Sequence, residues 1–361
     1  MDRFESKLAE ICRNSVCSSL LCKWDMEHIV VTFGNYRLTD GVMYTHSSIL
    51  YNETVIREFN TKLGVKHKLI TNDTLVPFVD PHPIDSVVNR NVSICSNSTF
   101  LLMIYLIRSK DYRMRQILRR IIPQGIIVKE RQINRVFVIG VNDTDRKTIQ
   151  SIQAENKQYG DIVVSRHKES YVIAPILLWD GLMWAKGHCS HAVFVGKFDP
   201  DAIVFLHNLM EVLTTAPRYH FYGGRVLSFR MQPRTTLKVR CLPYDYPERR
   251  SIKFLSGPAM LLSSDLIDYL LIGAEYEPFF SAADDVMVGS VLNRVGILPQ
   301  EIGSDDCPFL IWRTDKHNYY SDYKLLPKCV SVYHHVKSID KYCEVIEYYN
   351  ISSCIGISDW V

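Results

Sequence analysis

From residue 99 to residue 205, apolar runs of strand length alternate with segments of helical period, and this alternation constrains the fold more than any other feature of the chain. Residues 99–107, 135–141, 162–165 and 192–195 read as buried strands. Between them, Met114, Ile117, Leu118 and Ile121 recur at helical spacing. Residues 144–159 are polar with Ile149 and Ile152 turned inward, and 173–186 read as an amphipathic helix carrying Trp179 and Trp184, both taken as core. Strands that alternate with helices build a mostly parallel sheet covered by helices, so the expected class is α/β. After residue 205 the pattern mixes. A helix at 205–213, strands at 221–229 and 237–241, and a turn at Ser256-Gly257-Pro258 predict a smaller antiparallel portion. Ser263 or Ser264 is placed to cap a helix, with Asp265 in its first turn. Asp284-Asp285 opens another helix, whose apolar stripe is Val288, Val291, Leu292 and Val295.

The fourth strand runs into Lys197-Phe198-Asp199-Pro200-Asp201. Asp199 and Asp201 therefore lie just past the end of a central strand, where open α/β sheets place their ligands. Two carboxylates at i and i+2 in a loop can approach one hard cation, which usually also binds substrate phosphates. A metal–diphosphate site is the functional expectation, set against a solvated Asp-Pro-Asp turn.

Composition narrows the rest. The 361 residues suffice for one large domain or two smaller ones. A net charge of +3 gives no reason to expect nucleic acid or a membrane surface. The 10 cysteines include no Cys-x-x-Cys pair, so zinc and thioredoxin-like sites lack support. Six N-glycosylation sequons, at Asn52, Asn72, Asn91, Asn97, Asn142 and Asn350, favour a secretory, disulfide-permissive compartment. Against this, residues 1–22 lack the form of a signal peptide and no 18-residue apolar span occurs, so an anchor is not visible in this chain. Cys12, Cys17 and Cys22 fall in a possible short helix, and 28–33 look like a strand.

Taken in order, several segments resemble the inverting β-1,3-glycosyltransferases of family 31, which include β-1,3-galactosyl- and N-acetylglucosaminyltransferases and Fringe. Arg115-Gln-Ile-Leu-Arg119 matches the spacing of the family's paired arginines, although Ile121-Ile122 replaces its Thr-Trp. Val136-Phe-Val-Ile-Gly140 is similar to its next strand, and Glu155-Asn-Lys-Gln-Tyr159-Gly160-Asp161-Ile162 reproduces its Glu-x-x-x-Tyr-Gly-Asp-Ile block. Trp184 to Cys189 keeps the Trp-x-x-x-x-Cys spacing. Lys197-Phe198-Asp199-Pro200-Asp201 follows Lys-x-Asp-Asp-Asp with proline in the middle, and Asp284-Asp285-Val286 follows Glu-Asp-Val. Around Tyr171 only the start of the expected motif is present.

The resemblance implies the GT-A nucleotide-sugar transferase fold: a mostly parallel central sheet flanked by helices, with a small antiparallel portion. It implies a stem or accessory region at 1–97, the transferase domain at 98–345 and a tail at 346–361. The implied reaction transfers galactose or N-acetylglucosamine from a UDP-sugar to a glycan hydroxyl, with inversion, forming a β-1,3 linkage. The acceptor would be a glycan, glycoprotein or glycolipid, and the compartment the Golgi lumen. Asp201 and Asp199 would hold Mn²⁺ (or Mg²⁺), Asp199 also serving the donor nucleotide. A histidine near the C-terminal end, His334 or His335, would complete the shell, with His335 carried forward. Arg115 and Arg119, one helical turn apart, would face the diphosphate, whereas Arg113 and Arg120 read as a solvated basic face. Asp285 would be the general base, its affinity for a proton raised by Asp284. Both aspartates also suit a helix cap. Gly257 suits a turn or a close backbone approach.

Two other readings compete. One is a family member that binds glycan or nucleotide-sugar without turnover, suggested by Pro200, Ile121-Ile122 and the weak match at Tyr171. The other is a phosphatase of the haloacid dehalogenase type, but its Asp-x-Asp follows the first strand of the domain, whereas several strands precede Asp199 here.

Overall fold

The computed structural model describes Thr54 and residues 94–141, 145–165, 169, 174–230, 251–273, 284–313 and 322–355. The expectations for residues 12–33, 237–241 and Tyr171, and the sequons at Asn52, Asn72, Asn91 and Asn142, lie outside them.

The strands are β1 (Thr99–Leu106), β2 (Ile126–Val128), β3 (Arg131–Gly140), β4 (Ile162–Ser165), β5 (Phe194–Phe198), β6 (Ala202–Val204), β7 (Tyr222–Arg230), β8 (Ser251–Ser263), β9 (Gln300–Glu301), β10 (Leu310–Trp312) and β11 (Val332–His334). The helices are α1 (Tyr112–Ile121), α2 (Arg146–Tyr159), α3 (Ala174–His188), α4 (Leu206–Thr215), α5 (Leu266–Gly273), α6 (Asp284–Arg294) and α7 (Ile339–Tyr348). An eight-stranded sheet runs β2-β3-β1-β5-β8-β7-β9, with β4 also paired to β3. Strands β4, β3, β1 and β5 are parallel neighbours, and β8 and β7 continue the sheet antiparallel. A second sheet has the order β10-β11-β6.

The unbroken apolar run of β1 has a simple cause: both faces of this strand are covered. Leu102 and Ile104 pack towards α3, α5 and α6. Leu101, Met103 and Tyr105 pack towards α1, α4 and α7. A strand with helices on each side has no polar face, and each fully buried Leu or Ile contributes about 1.5–3 kcal/mol. The same logic corrects the expectation for α3. That helix is not amphipathic; Pro175 through Ala185 are all buried. Gly181 lets it lie directly on β1 and β3, since a Cβ there would stand 3.0 Å from Val138 and 3.1 Å from Ile104. Trp179 and Trp184 are core residues, and Trp179 donates from Nε1 to Leu270 O at 3.2 Å.

Two other expectations are corrected. Ser256-Gly257-Pro258 is not a turn between elements but lies inside β8. There the pairing with β7 jumps from Gly224↔Met260 to Val226↔Leu255, so the turn-forming residues mark a bulge. Neither serine caps α5: Ser264 Oγ donates to Ala192 O, Ser263 Oγ accepts from Phe221 N, and Asp265 accepts from His220 N.

Disulfides join Cys95 to Cys189, Cys307 to Cys329 and Cys343 to Cys354. The first fastens the approach to β1 onto the end of α3. Asn97 and Asn350 are exposed. No described helix is long and apolar enough to cross a membrane.

Candidate active site

The carboxyl end of β5, in the middle of the large sheet, delivers Asp199. Its backbone N–H donates to Pro258 O at 3.1 Å, and its carbonyl accepts from Ala202 N at 3.1 Å, closing a tight turn into β6. Asp201 is the last residue of that turn. Antiparallel pairing of β6 with β11 sets His334 opposite Ala202. The register therefore places the imidazole beside the loop: His334 Nε2 lies 3.1 Å from Asp201 Oδ1 and 3.5 Å from Asp199 Oδ2. The edge-to-face contact with Trp312, at 4.4 Å between ring centroids, holds the imidazole from the side.

One potential ligand atom from each of Asp199, Asp201 and His334 lies within 4.8 Å of the others. Two hard carboxylate oxygens and one neutral imidazole nitrogen suit Mn²⁺ or a similar divalent ion. The donor set fits the metal the sequence implies, with one change of residue. The histidine at the aspartates is His334 rather than His335. β11 ends at His334, and His335 leaves it with a left-handed φ of 80°, its ring lying 5.4 Å from that of His334 and 6.3 Å from that of Trp312.

Lys197, buried on β5, joins this loop to the rest of the site. Its Nζ lies 2.6 Å from Asp199 Oδ1, 2.9 Å from Gly257 O and 2.9 Å from Asp284 Oδ2. Burial works against its charge, but Asp199 and Asp284 outweigh that and raise its pKa. Burial would also raise the Asp199 carboxyl, yet the Lys197 ammonium and then His334 hold it at about 2. His334 is raised by the same two aspartates against the opposing effect of burial.

Asp285 stands in the first turn of α6, beside the β8 bulge. Its Oδ1 accepts from Val286 N at 2.8 Å. A Cβ on Gly257 would lie 3.1 Å from Asp285 Oδ2, so the missing side chain is what admits the carboxylate. Burial first, and Asp284 second, push Asp285 up to about 7. A carboxyl that titrates near neutrality is suited to take a proton from a hydroxyl. Trp312 Nε1 donates to Ser256 Oγ at 3.3 Å, linking the histidine side of the site to the same bulge.

Arg115 and Arg119 do not face this site. Both are buried in an internal ion network whose carboxylates come from the Glu155–Asp161 block. Arg115 donates to both oxygens of Glu155 at 2.8 and 2.6 Å, and to the carbonyls of Arg108 and Ser109. Arg119 donates to Glu155 at 2.6 Å and bidentately to Asp161 at 2.9 and 2.6 Å, while Arg135 adds a contact to Asp161 at 2.5 Å. The Arg119 guanidinium also lies 3.9 Å from the centroid of the Tyr159 ring. Arg115 spends four of its five N–H donors and Arg119 three inside this buried network, which leaves both guanidinium groups tied to the Glu155–Asp161 block rather than free to meet a diphosphate. Arg120 is exposed, but rather than being simply solvated its Nη1 donates to Ser353 O and Ile355 O at 2.7 Å each, and Arg113 is half-buried.

The profile of the galactosyltransferase family matches residues 114–302, just over half of the chain. The chain belongs to the galactosyltransferase family. It is thereby a UDP-sugar-dependent hexosyltransferase. The β-1,3-galactosyltransferase 1 of Mus musculus is 27% identical over 225 residues, which cover 61% of this chain and 68% of that protein. The lactosylceramide 1,3-N-acetyl-β-D-glucosaminyltransferase of Xenopus tropicalis is 24% identical over 216 residues, 57% of each chain. Among solved structures, mouse xyloside xylosyltransferase 1 in its apo form aligns with 66% of this chain and 97% of its own, at 12% identity and a TM-score of 0.33. The family profile spans Lys197, Asp199, Asp201, Gly257 and Asp285; His334 lies beyond it.

Proposed function

We propose that this galactosyltransferase-family protein transfers galactose or N-acetylglucosamine from a UDP-sugar to a glycan hydroxyl, inverting the anomeric configuration and forming a β-1,3 linkage. The observation that carries the proposal is the approach of three sequence-distant stretches: the Asp199–Asp201 loop, His334, and Asp285 at the bulge. Asp199, Asp201 and His334 would hold Mn²⁺, which neutralises charge building on the departing diphosphate. Asp285 accepts the proton of the acceptor hydroxyl as its oxygen bonds to the anomeric carbon and the bond to UDP breaks. The neighbouring carboxylate of Asp284 favours proton uptake by Asp285. Three disulfides and the exposed sequons at Asn97 and Asn350 support the Golgi lumen as the compartment. The acceptor class, glycoprotein or glycolipid, follows from the same reading.

The test is UDP release by the purified chain with Mn²⁺ across UDP-galactose, UDP-N-acetylglucosamine and UDP-glucose, with simple β-linked disaccharide acceptors. Metal-dependent release that disappears in Asp201→Ala is the expected result. Tight Mn²⁺-dependent UDP binding with no release from any donor would favour the binder without turnover, the reading that Pro200 suggests.

A further inference from the structure

We propose that Lys197 is a positioning residue that fixes which oxygen of Asp199 a bound cation meets and keeps that cation loosely held. The inference rests on the transferase reading and concerns how its metal site is tuned. Among the described residues, Lys197 is the lysine buried at 5% exposure. An ammonium carries three protons, and this one has three oxygen neighbours, one each from the Asp199–Asp201 loop, the β8 bulge and the start of α6: Asp199 Oδ1, Gly257 O and Asp284 Oδ2. Lys197 is the penultimate residue of β5 and Asp199 follows the strand's end, so the two lie two residues apart and the ammonium reaches along the chain to the carboxylate.

Two consequences follow. First, Oδ1 of Asp199 is taken, whereas Oδ2 is the oxygen turned towards His334 Nε2 at 3.5 Å. Asp199 is therefore presented to a cation through one oxygen, not two. Second, a fixed positive charge stands in contact with a ligand of the cation and opposes its binding. Both effects act in one direction, weakening affinity while fixing geometry. An enzyme that releases its diphosphate at every turnover gains from an ion that leaves with it. A purely architectural lysine predicts the opposite: removing it would loosen the loop and weaken the ion.

The experiment measures Mn²⁺ binding, by the electron paramagnetic resonance signal of the free ion, with and without UDP, alongside thermal unfolding and turnover. The proteins are wild type, Lys197→Met, Lys197→Arg and Asp201→Ala. The expected result is Mn²⁺ held at least tenfold more tightly by Lys197→Met, with turnover at least a hundredfold lower and Lys197→Arg in between. Asp201→Ala, which should lose the ion, identifies the site being read. Should Lys197→Met fail to fold, Lys197→Met/Asp284→Asn restores the charge balance and is compared with Asp284→Asn alone; tighter Mn²⁺ binding is expected again. Unchanged or weaker Mn²⁺ binding by a folded variant overturns the role of Lys197 and leaves the transferase reading standing. Folded wild type that binds no Mn²⁺, even with UDP, removes the metal-dependent reading and this inference together.

Discussion

Two charged clusters in this molecule use the same residue types to opposite ends. Around Glu155 and Asp161, three arginines face two carboxylates, and each of the four carboxylate oxygens accepts at least one guanidinium N–H. Around Asp199, four carboxylates (Asp199, Asp201, Asp284 and Asp285) share one lysine and one imidazole. The side chains of Asp199 and Asp201 remain 29% and 24% exposed. In the first cluster every carboxylate oxygen is taken and the arginines outnumber the carboxylates three to two, so it offers nothing to a cation and braces α1 against α2, β3 and the head of β4. The second has negative charge to spare and oxygens within reach of solvent, which is the condition for receiving a cation. Residue type alone does not separate the two; the pairing does.

The comparison can be broken from either side. The largest expected effect comes from the open cluster: Asp285→Asn should lower kcat by about 10²–10⁴-fold, the usual worth of a general base. In wild type, kcat/KM at saturating Mn²⁺ should fall as pH drops below about 7. Asp285→Asn should also alter stability. The folded chain keeps a proton on Asp285 between pH of about 4 and 7 that the unfolded chain releases. Asp285 therefore costs stability at pH 8 and none well below pH 4. Thermal melts should show Asp285→Asn more stable than wild type at pH 8, with the gain shrinking as pH falls; a gain that grows towards acid would contradict the assignment.

Next comes the closed cluster. Arg119→Ala leaves the buried Asp161 Oδ1 without its guanidinium partner and takes one of two guanidinium N–H groups from Glu155 Oε1 and from Asp161 Oδ2, and breaking a buried pair costs about 3–5 kcal/mol. Denaturant unfolding should record it, while turnover per folded molecule changes little. A large loss of turnover at full stability would mean that Arg119 serves the ligand after all. The smallest effect concerns how the two halves of the open site are held. Gly289 lets α6 lie on β8: a Cβ there would overlap Phe254 Cβ and stand 2.9 Å from Lys253 O. Gly289→Ala should cost about 1–3 kcal/mol by overpacking. It should lower kcat as well, because the helix that lifts away carries Asp285.

Much of this was legible in the sequence because its signals are local. The apolar run of β1, the Asp-x-Asp loop after β5 and the Asp284-Asp285 start of α6 each fall within a few residues. What escaped depends on partners far along the chain. Helical spacing placed Arg115 and Arg119 one turn apart, but their carboxylates are 40 and 36 residues on, at Glu155. The available hint was that Arg115 neighbours the stripe of Met114 and Leu118, where an unpaired charge is costly. Lys197 stood inside a recognised motif with no role attached, since Gly257 O is 60 residues away. Ser256-Gly257-Pro258 carries the signature of a turn because a bulge uses the same residues. His334 and His335 could not be separated until the register of β11 against β6 was known.

The connection from β5 to β6 passes from one sheet to the other in three residues, Asp199 to Asp201. That connection is a mechanical joint. On one side stand Lys197 and α6, seated on the large sheet; on the other stands His334, carried by the small one. A ligand gripped from both sides is a rivet through the joint. Filling the site and seating the small sheet are then one equilibrium, and stiffness gained at the joint is shared along β11 and its neighbour β10.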